Sequence, residues 1–250
     1  MKRVAIMQPY VFPYLGYYQL LHAADDFVLL DDVNFIKKGW INRNRIRLNG
    51  EAYTFTIPIQ GMSQNATIRA SMIAADPTWK AKLLAQVRHA YGKAPGFATH
   101  FGPIAELIEQ AEGSIAGPAA ESIRYVARYA GLPVRIHTAS ELALPAELKG
   151  QERILALARH FNATRYINPV NGAALYDEGR FAEAGMELRF LRMDGTVSYL
   201  QQGPAPFVQG LSILDVLMNV ERDELRELLG RYQLLTVSEI GTSPDEPATT

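Results

Sequence analysis

Short apolar runs bounded by turn residues alternate along this chain with stretches of helical apolar spacing, and no other feature constrains its fold as strongly. Residues 4–7 (VAIM), the core of DDFVLLDD (25–32), LPVRIHTAS (132–140), TRYINPV (164–170) and MELRFLRM (186–193) read as strands. Between them lie helical stretches. GYYQLLHAA starts at Gly16. A second helix spans Pro77 to Tyr91, with Asp76 as N-cap and Pro77 at the first helical position. Others cover Pro103 to Ala111 and Pro118 to Ala130, with Gly131 as C-cap. In QERILALARHF, Ile154, Leu157, Ala158 and Phe161 fall on one stripe. A short helix holds Phe181 to Ala184, and LSILDVLMNV after Ser212 is the last substantial one. Asn49-Gly50 inside RNRIRLNGEAYTFTIPI is a strong hairpin signal. NATIRASMI (65–73) reads as a further strand. Strands alternating with helices imply an α/β fold, a mostly parallel sheet with helices on both faces, here with an antiparallel hairpin insert. Residues 1–240 are expected to form one domain and 241–250 a flexible tail. No internal repeat is visible.

Composition removes several classes of function. Lys plus Arg is 25 and Asp plus Glu is 26, a net charge of -1, whereas a dedicated nucleic-acid binder usually carries a basic surplus. The chain has no cysteine, so thiol catalysis and Cys-based metal sites are excluded. Its five histidines show no metal-ligand spacing, and neither GxGxxG nor GxxxxGK[ST] occurs. Residues Val4 to Ala24 hold no charged side chain, yet Gln8, Pro9 and Pro13 interrupt the run. That rules against both a signal peptide and a membrane span, and a cytoplasmic protein is expected.

Ligands of open parallel sheets bind beyond the strand carboxyl ends. The loops after Met7, Leu30, Thr138 and Ile167 are therefore the candidate positions. The first carries Gln8, Pro9 and Tyr10 and opens a helix at Gly16, where unpaired N–H groups suit an anion; the alternative is a proline-stiffened connection. Asp31 and Asp32 can hold magnesium or accept a proton from an amine; the alternative is an Asx turn. Adjacent strand residues face opposite sides, so at most one of the two enters a site. Residues 33–50 hold no acid but carry Lys37, Lys38, Arg43, Arg45 and Arg47, with Trp40, Asn42 and Asn44 among them. That segment suits phosphates. For the three arginines at period two, a solvated hairpin face is the alternative. Gln8, Tyr10, Asp32, Asn34, Lys37, Asn42 and Arg43 are expected to line one pocket.

The opening QPYVFPYLGYYQLLHAADDFVLLDDVNFIKKGWINRN resembles the signature opening of the WbqC-like proteins. The likeness continues through Tyr91, RYIN (165–168), LYD (175–177), YLQQ (199–202), PFVQGLSILDVLMN and LLGRYQLL, covering the chain to about Glu239. It adds Asn168 and Tyr176 to the expected substrate-binding residues. The family occurs in bacterial gene sets for surface polysaccharides such as O-antigen. The resemblance implies a transferase or ligase that places glycine or an acylated glycine on an amino sugar. More distantly, the proline–glycine opening is similar to the pantothenate synthetase and nucleotidyltransferase superfamily, whose members use ATP. The HxGH-type histidines of that superfamily fall where this chain has Leu15-Gly16-Tyr17-Tyr18; the glycine matches and both histidines are missing.

Two functions follow. The first is an enzyme joining an amino-acid-derived acyl group to the amine of a nucleotide-linked sugar, with ATP and Mg²⁺ supplying activation. Lys37 and Lys38 would neutralise phosphates, Gly16 would help bind an anion, and Asp31 or Asp32 would hold metal or take the proton. Gln8 and Asn34 would orient the acceptor. The second is a non-catalytic sugar-nucleotide binder or scaffold with a degenerate site.

Overall fold

The structure is a computed structural model that describes residues 1–63, 65–145 and 147–240. Its main sheet has six strands in the order β5-β2-β1-β6-β7-β8. These are β1 (Arg3–Met7), β2 (Asp26–Leu29), β5 (Arg135–Thr138), β6 (Arg165–Pro169), β7 (Glu187–Met193) and β8 (Tyr232–Leu235). All neighbours are parallel except β7 and β8. The expected mostly parallel sheet is present, and β1 lies inside it between β2 and β6. Its VAIM core is apolar throughout because both of its faces are covered.

Strand alternation distributes the side chains between two cores. Ala5, Phe27, Leu29, Ile167 and Leu191 point into one, with α1 (Leu15–Ala23), α4 (Ala116–Ala130) and α8 (Arg222–Gly230). Val4, Ile6, Val28, Tyr166 and Phe190 point into the other, with α5 (Gly150–His160) and α6 (Glu178–Glu183). The separate hairpin pairs β3 (Arg43–Leu48) with β4 (Glu51–Thr56). Asn49 and Gly50 take φ of 53° and 86°, the double positive φ of a type I′ turn. Three more helices are α2 (Thr78–Tyr91), α3 (Phe97–Glu109) and α7 (Ile213–Asn219), and α9 (Val237–Ile240) ends the described chain.

Several sequence expectations need correction. Residues 65–73 form no strand. A 3-10 turn occupies Ile68–Ala70, and the backbone satisfies itself against the loop after β2, through Ile68 N–H to Val33 O (2.9 Å) and Arg69 N–H to Asp31 O (2.9 Å). Helix α3 starts at Phe97 and carries Pro103 inside it. Its early start sits where Gly96 donates to Met218 O at 2.9 Å, so close to α7 that a Cβ there would lie 2.2 Å from Leu217 O. After α7 comes another full helix, α8, which buries Leu225, Leu228 and Leu229. The expected tail, 241–250, lies outside the described residues.

The amino-terminal edge of the sheet is closed by charge pairs. Arg135, Lys2 and His137 converge on the buried Asp26 carboxylate at 2.6–2.8 Å. The Arg135 guanidinium, with Lys2 and His137, holds that carboxyl well below the usual range. The carboxyl-terminal edge is where the surface opens.

His100 on α3 is 1% exposed, stacks edge-on against Tyr129 and bonds through Nδ1 to Tyr125 Oη at 2.7 Å. Burial pushes its pKa down to about 4 from an ordinary 6.5. A depressed folded pKa means this stabilisation is complete above pH 6.5 and is lost as pH falls toward 4. Urea unfolding should show a loss of about 3 kcal/mol over that window. His100→Gln should flatten the profile there; an unaltered slope would show that His100 is not its source.

Candidate functional site

A cleft of about 720 Å³ opens beyond the carboxyl ends of β2 and β5. Its walls come from the loops after β2, β5 and β6 and from the start of α5. Asp31 and Asp32 lie just past the end of β2 and divide their work. Asp31 is buried, and its carboxylate accepts from Ser140 N–H (3.0 Å) and Ser140 Oγ (2.6 Å). It ties the loop after β2 to the loop after β5. Asp32 lines the cleft instead. One of its oxygens accepts from Arg153, whose other amine donates to Pro145 O at 3.2 Å. The second oxygen, Oδ1, is enclosed without a hydrogen-bond partner among the described residues. A buried carboxylate oxygen left unbonded is costly, and a donor in the cleft reaches it only if the wall around it shifts.

The charge in the cleft is unbalanced. Asp32 and Arg153 offset one another, while Arg69 and Lys149 add two cations with no ion pair among the described residues. Lys149 is the N-cap of α5 and supplies no side-chain cap, so the first-turn N–H groups of that helix add further positive potential. The remaining wall sets aliphatic Leu142, Leu144, Leu148, Ile154 and Leu175 beside polar Asn34, Thr67, Ser140 and Gln151. Tyr176 closes one side. Its hydroxyl lies 3.0 Å from that of Tyr166, to which Asn168 Nδ2 donates at 2.8 Å. Burial raises both phenol pKa values.

Of the residues expected in one pocket, the structure brings Asp32 and Asn34 into this cleft, with Tyr176 beside them. The others are used elsewhere. Gln8 lies in a packed loop, where its backbone carbonyl accepts from Tyr17 Oη (2.9 Å) and its side chain from Tyr10 Oη (3.4 Å). Pro9 is buried in the same loop. Burial raises the Tyr10 pKa to about 12. Gly16 sits under the Tyr14 ring, where a Cβ would meet a ring carbon at 2.5 Å, so packing accounts for this glycine. Asn42 is buried and donates to Ile57 O at 2.7 Å. Arg43 donates to the carbonyls of Gly39 (2.8 Å) and Lys38, and its guanidinium lies over the Trp40 ring. Lys37 and Lys38 are exposed and line neither cavity described here. The solvated-face reading of the hairpin arginines fails as well. Arg45 donates to Gly210 O, and Arg47 is buried and donates to the carbonyls of Gln202, Ala205 and Pro206. Both arginines clamp the segment after β7.

Sequence reasoning missed Arg69, Lys149, Arg153 and the leucine wall. Arg69 was hidden by the strand reading of 65–73. Arg153 carried one signal: a cation directly beside the apolar stripe of α5.

A second cavity, about 500 Å³, lies between the hairpin, the end of α2 and α7. At its base, the buried Asp215 carboxylate accepts from Tyr91 Oη (2.8 Å), Tyr199 Oη (2.6 Å) and Gln201 Nε2 (2.8 Å). Burial raises the Asp215 pKa despite these donors. With both oxygens already bonded, the network is built to hold α7, α2 and the 199–202 segment together.

The fold and the cleft define an α/β protein with a small-molecule-sized crevice at the carboxyl edge of a mostly parallel sheet. The model of the WbqC-like protein family matches residues 8–227, and the chain belongs to that family. It is 29% identical over 226 residues to the uncharacterized protein Rv1507c of Mycobacterium tuberculosis, covering 88% of this chain and 94% of that protein. No solved structure matches the chain significantly. No helix among the described residues is long and apolar enough to cross a membrane.

Proposed function

We propose that this protein is an enzyme of surface-polysaccharide precursor synthesis, joining a small carboxylate such as glycine or an acylglycine to the amine of a nucleotide-linked amino sugar. The observation that carries the reading is Asp32. Its carboxylate stands at the cleft wall, paired through one oxygen with Arg153. An attacking amine must lose a proton as the amide forms, and a positioned carboxylate accepts it. Arg69, Lys149 and the start of α5 suit the anionic groups that both substrates carry.

ATP, when bound, supplies the leaving group that a free carboxylate lacks. Its phosphates fit Arg69 and Lys149 better than Lys37, which lies outside the cleft. The Leu15-Gly16-Tyr17-Tyr18 segment offers no substitute for the missing histidines, because all four residues are buried. A single carboxylate at the cleft is compatible with Mg²⁺, which keeps several waters and leans on phosphate oxygens.

The test incubates the protein with ATP, Mg²⁺, glycine or N-acetylglycine, and a uridine-diphosphate amino sugar. Mass spectrometry should find the sugar nucleotide heavier by the acid less one water, with one pyrophosphate and one AMP released per amide formed. Tight binding of the sugar nucleotide without any product across these donors would overturn the enzymatic reading in favour of a binding protein.

A further inference from the structure

Resting on the amide-forming reading, we infer that the carboxylate taken by the cleft carries an aliphatic chain rather than being a bare amino acid. The composition of the walls leads there. Leu142, Leu144 and Leu148 come from one short segment between β5 and α5, and Ile154 and Leu175 face the same space. Leu175 is 72% exposed, although it stands at a cleft beside a well-packed core. Exposed leucines are ordinary when scattered; one that continues an aliphatic wall marks a surface an apolar group can cover. The same cleft also holds Arg69 and Lys149, which call for an anion.

Aliphatic and cationic lining together describe an amphiphile. Glycine or a diphosphate would satisfy the cations and leave the leucine wall in water. A sugar ring would find partners in Asn34, Ser140 and Gln151 but would leave the leucines uncovered. A carboxylate on an aliphatic chain meets both kinds of lining at once.

The experiment titrates the full chain calorimetrically with the straight-chain acids from acetate to octanoate. Affinity should rise roughly fourfold per methylene until the wall is covered, since each buried methylene contributes a fixed increment. Leu175→Ser and Leu148→Ser should flatten that dependence. Lys149→Gln should weaken every acid by about the same factor, near tenfold. Leu175→Ser alters an exposed residue, so it tests the wall without endangering the fold. Octanamide should bind more weakly than octanoate, which separates the amphiphile from mere grease. Affinity independent of chain length, or a slope unmoved by both serine variants, overturns the inference. The reaction assay keeps it distinct from the proposed function. Equal amide yield from glycine and from the longer acids would sink the chain preference alone. Chain-dependent binding with no amide from any acid would sink the reaction alone.

Discussion

Replacing Asp32 with Asn is expected to slow amide formation by a factor of about 10²–10⁴, the usual worth of a positioned general base. The amide keeps the shape of the carboxylate and loses its proton affinity. Substrate binding should change far less than turnover, because Arg69 and Lys149 remain. The substitution also leaves Arg153 without its counter-charge, and Arg153 is only 6% exposed. Thermal melts must therefore accompany the kinetics, with Asp32→Asn combined with Arg153→Met as the control for stability. Turnover within threefold of the unsubstituted protein would remove Asp32 from the chemistry. A parallel loss of folding in the single variant, repaired in the double one without recovery of turnover, would keep it there.

The largest loss of stability is expected for Asp215→Ala, at about 3–5 kcal/mol. The substitution strands three buried donors at once, from Tyr91, Tyr199 and Gln201. Tyr199→Phe removes one of those donors and should cost about 1 kcal/mol. Urea unfolding of both variants checks the ratio. Because burial raises the Asp215 pKa, its protonated form is favoured by the fold. The stabilisation linked to that shift is complete below the unfolded value of 3.8 and lost as pH rises through the folded value. Asp215→Ala costing less than 1 kcal/mol would show that the network contributes little.

Local pattern carried much of the fold. The apolar VAIM run, the Asn49-Gly50 turn, the αL glycine at Gly131 with φ of 70° and the stripe of α5 all report short-range geometry, and each appears where its residues imply. The failures have a common origin too. Residues 65–73 alternate like a strand, but their hydrogen-bond partners lie in the loop after β2 and permit only a 3-10 turn. The acid-free segment 33–50 looks like a phosphate site because nothing nearby neutralises it. Its arginines are in fact met by backbone carbonyls, several of them more than 150 residues away, as with Arg47 and Ala205.

The sequence alone determined the sheet and the placing of β1 inside it. These follow from side-chain period and from the need to cover apolar faces. Tertiary structure alone decided which acid faces the cleft and what it meets there. Asp31 finds Ser140 across 109 residues and Asp32 finds Arg153 across 121. A charge's partner is set by where the crossovers return the chain, and no local pattern of residues encodes that distance.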